Sequence, residues 1–219
     1  MISQLLQVKV AKWASLQAQQ SPFFVNTRNG SLKPRNLFHY LNNVHYMIAK
    51  TPHHLKSAQA EALRRNEPEL AAYFASKIHE EVDHDLWAAR DVERLVEKFD
   101  VRDQRRVSFY VLALENYVFA LIKEDPSLYL AYIFLAEYLT VVASPEWLRD
   151  LEKACNLPTN FVTVVKNHSE LDKEHAAELL HDLDRLAGHC AVEKMLSSLE
   201  MAMHLYERFF EEVGKVDEF

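Results

Sequence analysis

The residues best able to do chemistry lie in the stretch 167–175, N-H-S-E-L-D-K-E-H. It sets His168, Asp172 and His175 at i, i+4 and i+7, which puts all three on one face of an α-helix within two turns. The apolar residues Phe161, Val164, Val165, Leu171, Leu179, Leu183 and Leu186 fall in the same stripe, so that face is expected to point into the core. A buried imidazole or carboxylate is costly unless it is paired or binds a metal. Two His and one carboxylate on one face make half a site for a first-row transition metal, iron first.

Two further stretches offer partners. In 78–87, I-H-E-E-V-D-H-D-L-W, Glu81 borders an apolar stripe running through Ala71, Phe74, Ile78, Val82, Ala89, Val92 and Val96, and His84 follows one turn on. This E-x-x-H spacing is the ligand pattern of carboxylate-bridged di-iron bundles, although alone it also occurs on many solvated helices. Asp85 falls in the stripe and could accept a hydrogen bond from a ligating imidazole; Glu80 and Asp83 point more outward. Segment 127–142 carries one charge, Glu137, which must be protonated, paired or metal-bound. Glu115, in V-L-A-L-E-N-Y-V-F-A-L, has the same three options. His45 is close to the inward stripe of its helix, as an extra ligand, a substrate contact or a satisfied core histidine. His53 and His54 are expected to cap a helix or face water, and His181, His189 and His204 to lie on the surface. Tyr40, Tyr46, Trp87, Phe134 and Tyr138 could line an apolar substrate cavity or be plain core. Four helices thus bring an E-x-x-H, lone Glu residues and a His/Asp/His triplet, enough for one or two metals in a bundle.

Positioning these groups requires an all-α fold. The 219 residues suffice for one domain, 1–219, with a sizeable core. Helical periods cover about 8–20 (Val8, Trp13 and Leu16 inward), 36–50, 53–64, 69–98, 105–123, 127–142, 145–155, 159–188 and 191–213, with a break or kink at Pro52, a new helix start at Pro145 and no credible strand. The expectation is a bundle of about seven to nine helices. Residues 100–103 read as a turn. No apolar run looks long and uncharged enough to span a bilayer, and no signal peptide is apparent. The net charge of −7 argues against nucleic-acid or anionic-membrane partners. Three glycines leave no room for glycine-rich phosphate loops. Cys155 and Cys190 read as two reduced thiols in a cytoplasmic protein. The acidic surface fits a soluble homodimer as well as a monomer.

The order of these motifs resembles the haem-oxygenase-like superfamily. The resemblance begins at S-P-F-F…N-G-S-L…L-F-H-Y-L, similar to the opening of thiaminase II and pyrroloquinoline quinone synthase relatives. It continues through H-E-E-V-D-H-D-L-W, the Glu137 helix and H-S-E-L-D-K-E-H, and so covers most of the chain. Within the superfamily the pattern is most similar to the di-iron oxidases and oxygenases, the iron-containing redox enzymes. That resemblance implies Glu81, His84, Glu137, His168, Asp172 and His175 as iron ligands. It departs at Lys77, where many members carry a carboxylate seven residues before the His of the E/H pair, and at His45, where an earlier carboxylate would stand. A thiaminase-like nucleophilic Cys is missing from 143–147, A-S-P-E-W, and a haem oxygenase's glycine-rich distal helix is missing too.

The expected function is therefore a non-haem iron oxidase or oxygenase that activates O2 to oxidise a small organic substrate, with one or two iron ions (or manganese) held by neutral imidazoles and balanced by carboxylates. Two other classes fit the same residues: a cofactor-independent oxidase or small-molecule-binding protein on this fold, and a non-catalytic helical interaction protein whose core polar groups form a hydrogen-bonded network.

Overall fold

The structure, a computed structural model, describes residues 1–101, 106–187 and 190–215. Among them are nine α-helices: α1 Ile2–Gln20, α2 Pro22–Arg28, α3 Pro34–Arg64, α4 Pro68–Glu80, α5 Asp85–Phe99, α6 Phe109–Glu124, α7 Tyr129–Cys155, α8 Thr163–Leu186 and α9 Val192–Gly214. Two 3-10 turns, Pro126–Leu128 and Thr159–Phe161, lead into α7 and α8. The described residues contain no strand. Part of the 100–103 turn, and His189, lie outside the described residues.

The helix starts follow from local chemistry. Proline stands in the first turn of α2, α3 and α4, where its missing N–H is no loss. Asp125 accepts from the Ser127 N–H at 2.9 Å, and Ser108 caps α6 through the Tyr110 N–H. Gly214 at the end of α9 is required by a close approach: a Cβ there would sit 2.5 Å from the Phe23 backbone nitrogen of α2.

Helix α7 runs through the centre, packed by α8, α1, α2 and α9, while α3 supports α4, α5 and α6. Residues Leu128 to Leu135 are all buried, so the helix has no solvent face there. The span Pro126–Cys155 meets the length and apolarity of a membrane-crossing helix, contrary to the sequence expectation. Its most apolar window is 67% buried inside the fold, because it is the axis around which the other helices pack.

Four local expectations are corrected. Pro52 and Pro145 do not break helices; each lies inside a continuous one, α3 and α7, whose packing on both sides outweighs one lost backbone hydrogen bond. The inward face of α1 is Ile2, Leu6, Val10, Trp13 and Gln17, and Val8 and Leu16 are exposed. Leu171 is likewise exposed. The long helix expected over 69–98 is two helices, α4 and α5, separated by a turn at 81–84 in which Asp83 adopts a left-handed conformation (φ 64°). Asp tolerates that conformation better than most residues. The turn also rotates Val82 out of the stripe and into solvent.

Candidate metal centre

The broken helix delivers the first donors. Glu81 caps the end of α4 and His84 the start of α5, so a turn, not a helix face, brings them together. His84 Nδ1 lies 3.3 Å from Glu81 Oε2. The ring stacks on Trp87 (centroids 4.3 Å apart) and meets the edge of His168 at 5.0 Å. Helix α8 supplies His168, whose Nδ1–H donates to the Val164 carbonyl at 2.8 Å. That bond fixes the ring and leaves Nε2 as the free lone pair. Glu81, His84 and His168 each offer a ligand atom within 4.8 Å of the others.

Asp172 and His175 lie farther along α8, facing Glu137 of α7. Asp172 Oδ1 is 3.5 Å from His175 Nδ1, and its other oxygen accepts from the Thr140 hydroxyl. His175 Nε2 is 3.4 Å from Glu80 Oε2, which also accepts from Lys77 Nζ at 2.7 Å. Glu80, expected to point outward, is thus drawn in beside the triplet. Three buried polar atoms in this region have no hydrogen-bond partner: His84 Nδ1, His175 Nδ1 and Glu137 Oε2.

Burial pushes the Glu137 carboxyl up to about 8, with the Asp172 charge adding to it and the Lys77 ammonium opposing. Burial also pushes Glu81 up, but the facing imidazoles of His84, His168 and His175 outweigh it and hold that carboxyl low. The Asp172 carboxylate raises His175, against burial and Lys77. A pocket that needs extra positive charge to settle its carboxylates, and that leaves imidazole and carboxylate atoms unpartnered, fits a bound cation. The donor types, imidazole nitrogen plus carboxylate oxygen, suit iron or manganese.

The centre closes one end of a cavity of about 160 Å³. Glu81, Glu137, His168 and Asp172 form its polar end, and Phe23, Tyr40, Trp147 and Phe210 its aromatic walls. No Lys or Arg lines it among the described residues. Phe23 organises the walls, lying 4.8 Å from Tyr40, 5.4 Å from Trp147 and 5.8 Å from Phe210 between centroids.

Of the expected aromatic lining, Tyr40 is in this cavity, whereas Phe134 and Tyr138 stack on each other outside it and Trp87 backs His84. Tyr46 donates to Glu115, which also faces Lys50 at 3.5 Å, so Glu115 is a paired carboxylate away from the candidate donors. His45 and Asp85 are half-buried, outside the cavity lining and the three-donor group. His54, expected at the surface, is 3% exposed with neither ring nitrogen partnered, because α3 continues through Pro52 and carries it inward. His181 and His204 are exposed.

Two residues escaped the sequence reading. Asp91 of α5, fully buried, accepts from the Val164 N–H at 2.8 Å and the Thr163 hydroxyl at 2.7 Å, capping α8 from outside. Tyr129, also fully buried, lines the cavity with an unpartnered hydroxyl. Burial and the neighbouring Tyr132, Glu81 and Glu137 keep that phenol protonated.

Comparison with solved structures identifies the architecture. A Shewanella denitrificans protein described as a domain of unknown function with a heme oxygenase-like fold superposes with a TM-score of 0.80 at 19% identity, covering 98% of this chain and 93% of that one. This chain has the haem-oxygenase-like fold. A TenA homologue from Pseudomonas syringae pv. tomato (TM-score 0.69, 12% identity, 99% and 92% coverage) and a CADD-like protein of unknown function from Nostoc punctiforme (0.67, 11%, 97% and 97%) share the same haem-oxygenase-like arrangement. No protein-family model and no curated protein matches the chain. At these identities the likeness is one of fold.

Proposed function

We propose that this protein is a non-haem iron oxidase or oxygenase acting on a small, mainly apolar substrate. The observation that supports this most is the convergence of Glu81, His84 and His168 at the closed end of an aromatic cavity. Two imidazoles and one carboxylate with open positions make a site for ferrous iron; the ion, when bound, supplies the activation of O2. The chain's own groups do the rest. His168 is oriented by the Val164 carbonyl and His84 by stacking on Trp87. The cavity of about 160 Å³ holds a substrate of roughly benzene size, since an apolar void of about 150 Å³ accommodates that ring. Tyr129 holds a proton on an unpartnered oxygen beside Glu81 and Glu137 and serves as a donor there. That no Lys or Arg among the described residues lines the cavity favours a substrate without a remote carboxylate or phosphate. The two free thiols, Cys155 and Cys190, fit a reducing, cytoplasmic setting.

The test is anaerobic loading with Fe(II) followed by O2-uptake measurements. The expected result is bound iron, O2 consumption above the free-iron control, and loss of both in Glu81→Gln combined with His168→Ala. Wild-type protein that binds no iron but retains a stoichiometric organic ligand in the cavity would favour the cofactor-independent alternative.

A further inference from the structure

The two halves of the polar cluster differ in the cation already beside them. His84 Nδ1 faces Glu81 at 3.3 Å, and His168 has one nitrogen bonded and one free. Asp172 and His175, by contrast, sit in a chain of contacts that begins on a lysine. Lys77, in the last turn of α4, is 3% exposed. Its ammonium donates to Glu80 and faces Glu178 at 3.8 Å. The same Glu80 oxygen faces His175 Nε2, His175 Nδ1 faces Asp172, and Asp172 accepts from Thr140. Both nitrogens of His175 therefore look at carboxylates, and the Glu80 carboxylate is already neutralised by the lysine. The Lys77 charge acts on Glu137 and on His175. A buried ammonium this close to a second metal position would repel a dication there, with little solvent to screen it.

We propose that the centre takes a single metal ion, at Glu81, His84 and His168, and that the Lys77 ammonium, with its Glu80–His175–Asp172 chain, stands in for the second cation of a two-metal cluster. This rests on the metal-binding reading above. Lys77 is then a residue that sets metal stoichiometry. Glu137, with Oε2 unpartnered, stays available as a further ligand to the one ion.

The test is metal content and Mn(II) electron paramagnetic resonance after anaerobic loading and desalting of wild type, Lys77→Met (stem kept, charge removed) and Lys77→Glu (charge reversed). Wild type is expected to hold one Mn(II) per chain with the spectrum of an isolated ion. Both variants, checked for native circular dichroism, are expected to rise to two per chain with the broadened spectrum of a coupled pair. A wild type that binds two ions overturns the inference and leaves the metal reading standing, whatever the variants do. A wild type that binds none overturns the metal reading itself. Folded Lys77→Met and Lys77→Glu proteins that stay at one ion overturn the role of the ammonium.

Discussion

Replacing Asp91 by Ala should damage the fold and the proposed metal centre together. Asp91 belongs to α5, which His84 caps, and its carboxylate holds the first turn of α8, which carries His168. The coupling is direct: the Val164 N–H donates to Asp91, while the Val164 carbonyl accepts from His168 Nδ1. Truncation strands the Val164 N–H, whose residue is 1% exposed, and frees the half-buried Thr163 hydroxyl. A hydrogen bond to a charged acceptor contributes about 1.5–3 kcal/mol, and a stranded buried donor costs about 1–3 kcal/mol. The Thr163 hydroxyl can turn to water, and the exposed Arg94 partner adds little. The desolvation that raises the Asp91 carboxyl is removed by the same substitution and offsets part of the loss. The net expectation is about 3 kcal/mol for Asp91→Ala. Asp91→Asn keeps one acceptor oxygen and should lose roughly half that. At about 2–4 °C per kcal/mol for a chain of this size, Asp91→Ala lowers Tm by roughly 6–12 °C. Urea unfolding of the metal-free protein gives the free energies, and Mn(II) titration should show affinity falling in the same order. Two variants both within about 0.5 kcal/mol of wild type, or a destabilised Asp91→Ala with unchanged metal affinity, would refute the coupling.

Three further outcomes are expected. Burial lowers the pKa of His54 to about 4, with Glu115 opposing; between pH 6.5 and 4 the unfolded chain binds a proton that the folded chain refuses, so stability falls with pH by up to about 3 kcal/mol. His54→Leu should flatten that part of the pH–stability curve measured by urea unfolding, and an unchanged slope would show that His54 is not its source. Gly214→Ala drives a methyl to 2.5 Å from the Phe23 backbone nitrogen and 2.6 Å from Pro22 Cβ; a loss of roughly 1–3 kcal/mol is expected in thermal unfolding, since the contacts are largely backbone and cannot give cheaply. Ala136→Phe fills the cavity from α7; substrate-dependent O2 uptake should fall at least tenfold while Mn(II) affinity stays within twofold.

The helical class was legible because α7, α8 and α9 carry long apolar periods. Pro52 and Pro145 misled because a propensity rule weighs one residue, while α3 and α7 are held by packing along their whole length. The His168 face was readable from its 3.6-residue period. Glu81 and His84 were found as a pair, but for the wrong geometry: a left-handed Asp83, which no hydrophobic pattern signals, turns them from a helix face into a corner. Asp91 was invisible because its partner is a backbone N–H 73 residues away. Lys77 stood out only as a departure from a resemblance, and its 3% exposure is a tertiary fact that sequence could not supply. Glu115 and Glu137 had the same sequence signature; Tyr46 and Lys50, brought by α3, satisfy the first, whereas Glu137 Oε2 is left unpartnered beside the donors.

The most direct test of the centre is X-ray absorption on anaerobically loaded Fe(II) protein, which counts imidazole ligands from their multiple-scattering signal. Two imidazoles are expected in wild type, one in His84→Gln and one in His168→Gln, with His175→Gln still showing two. Iron bound without imidazole, or an imidazole count indifferent to His84 and His168, would contradict a metal centre built on Glu81, His84 and His168.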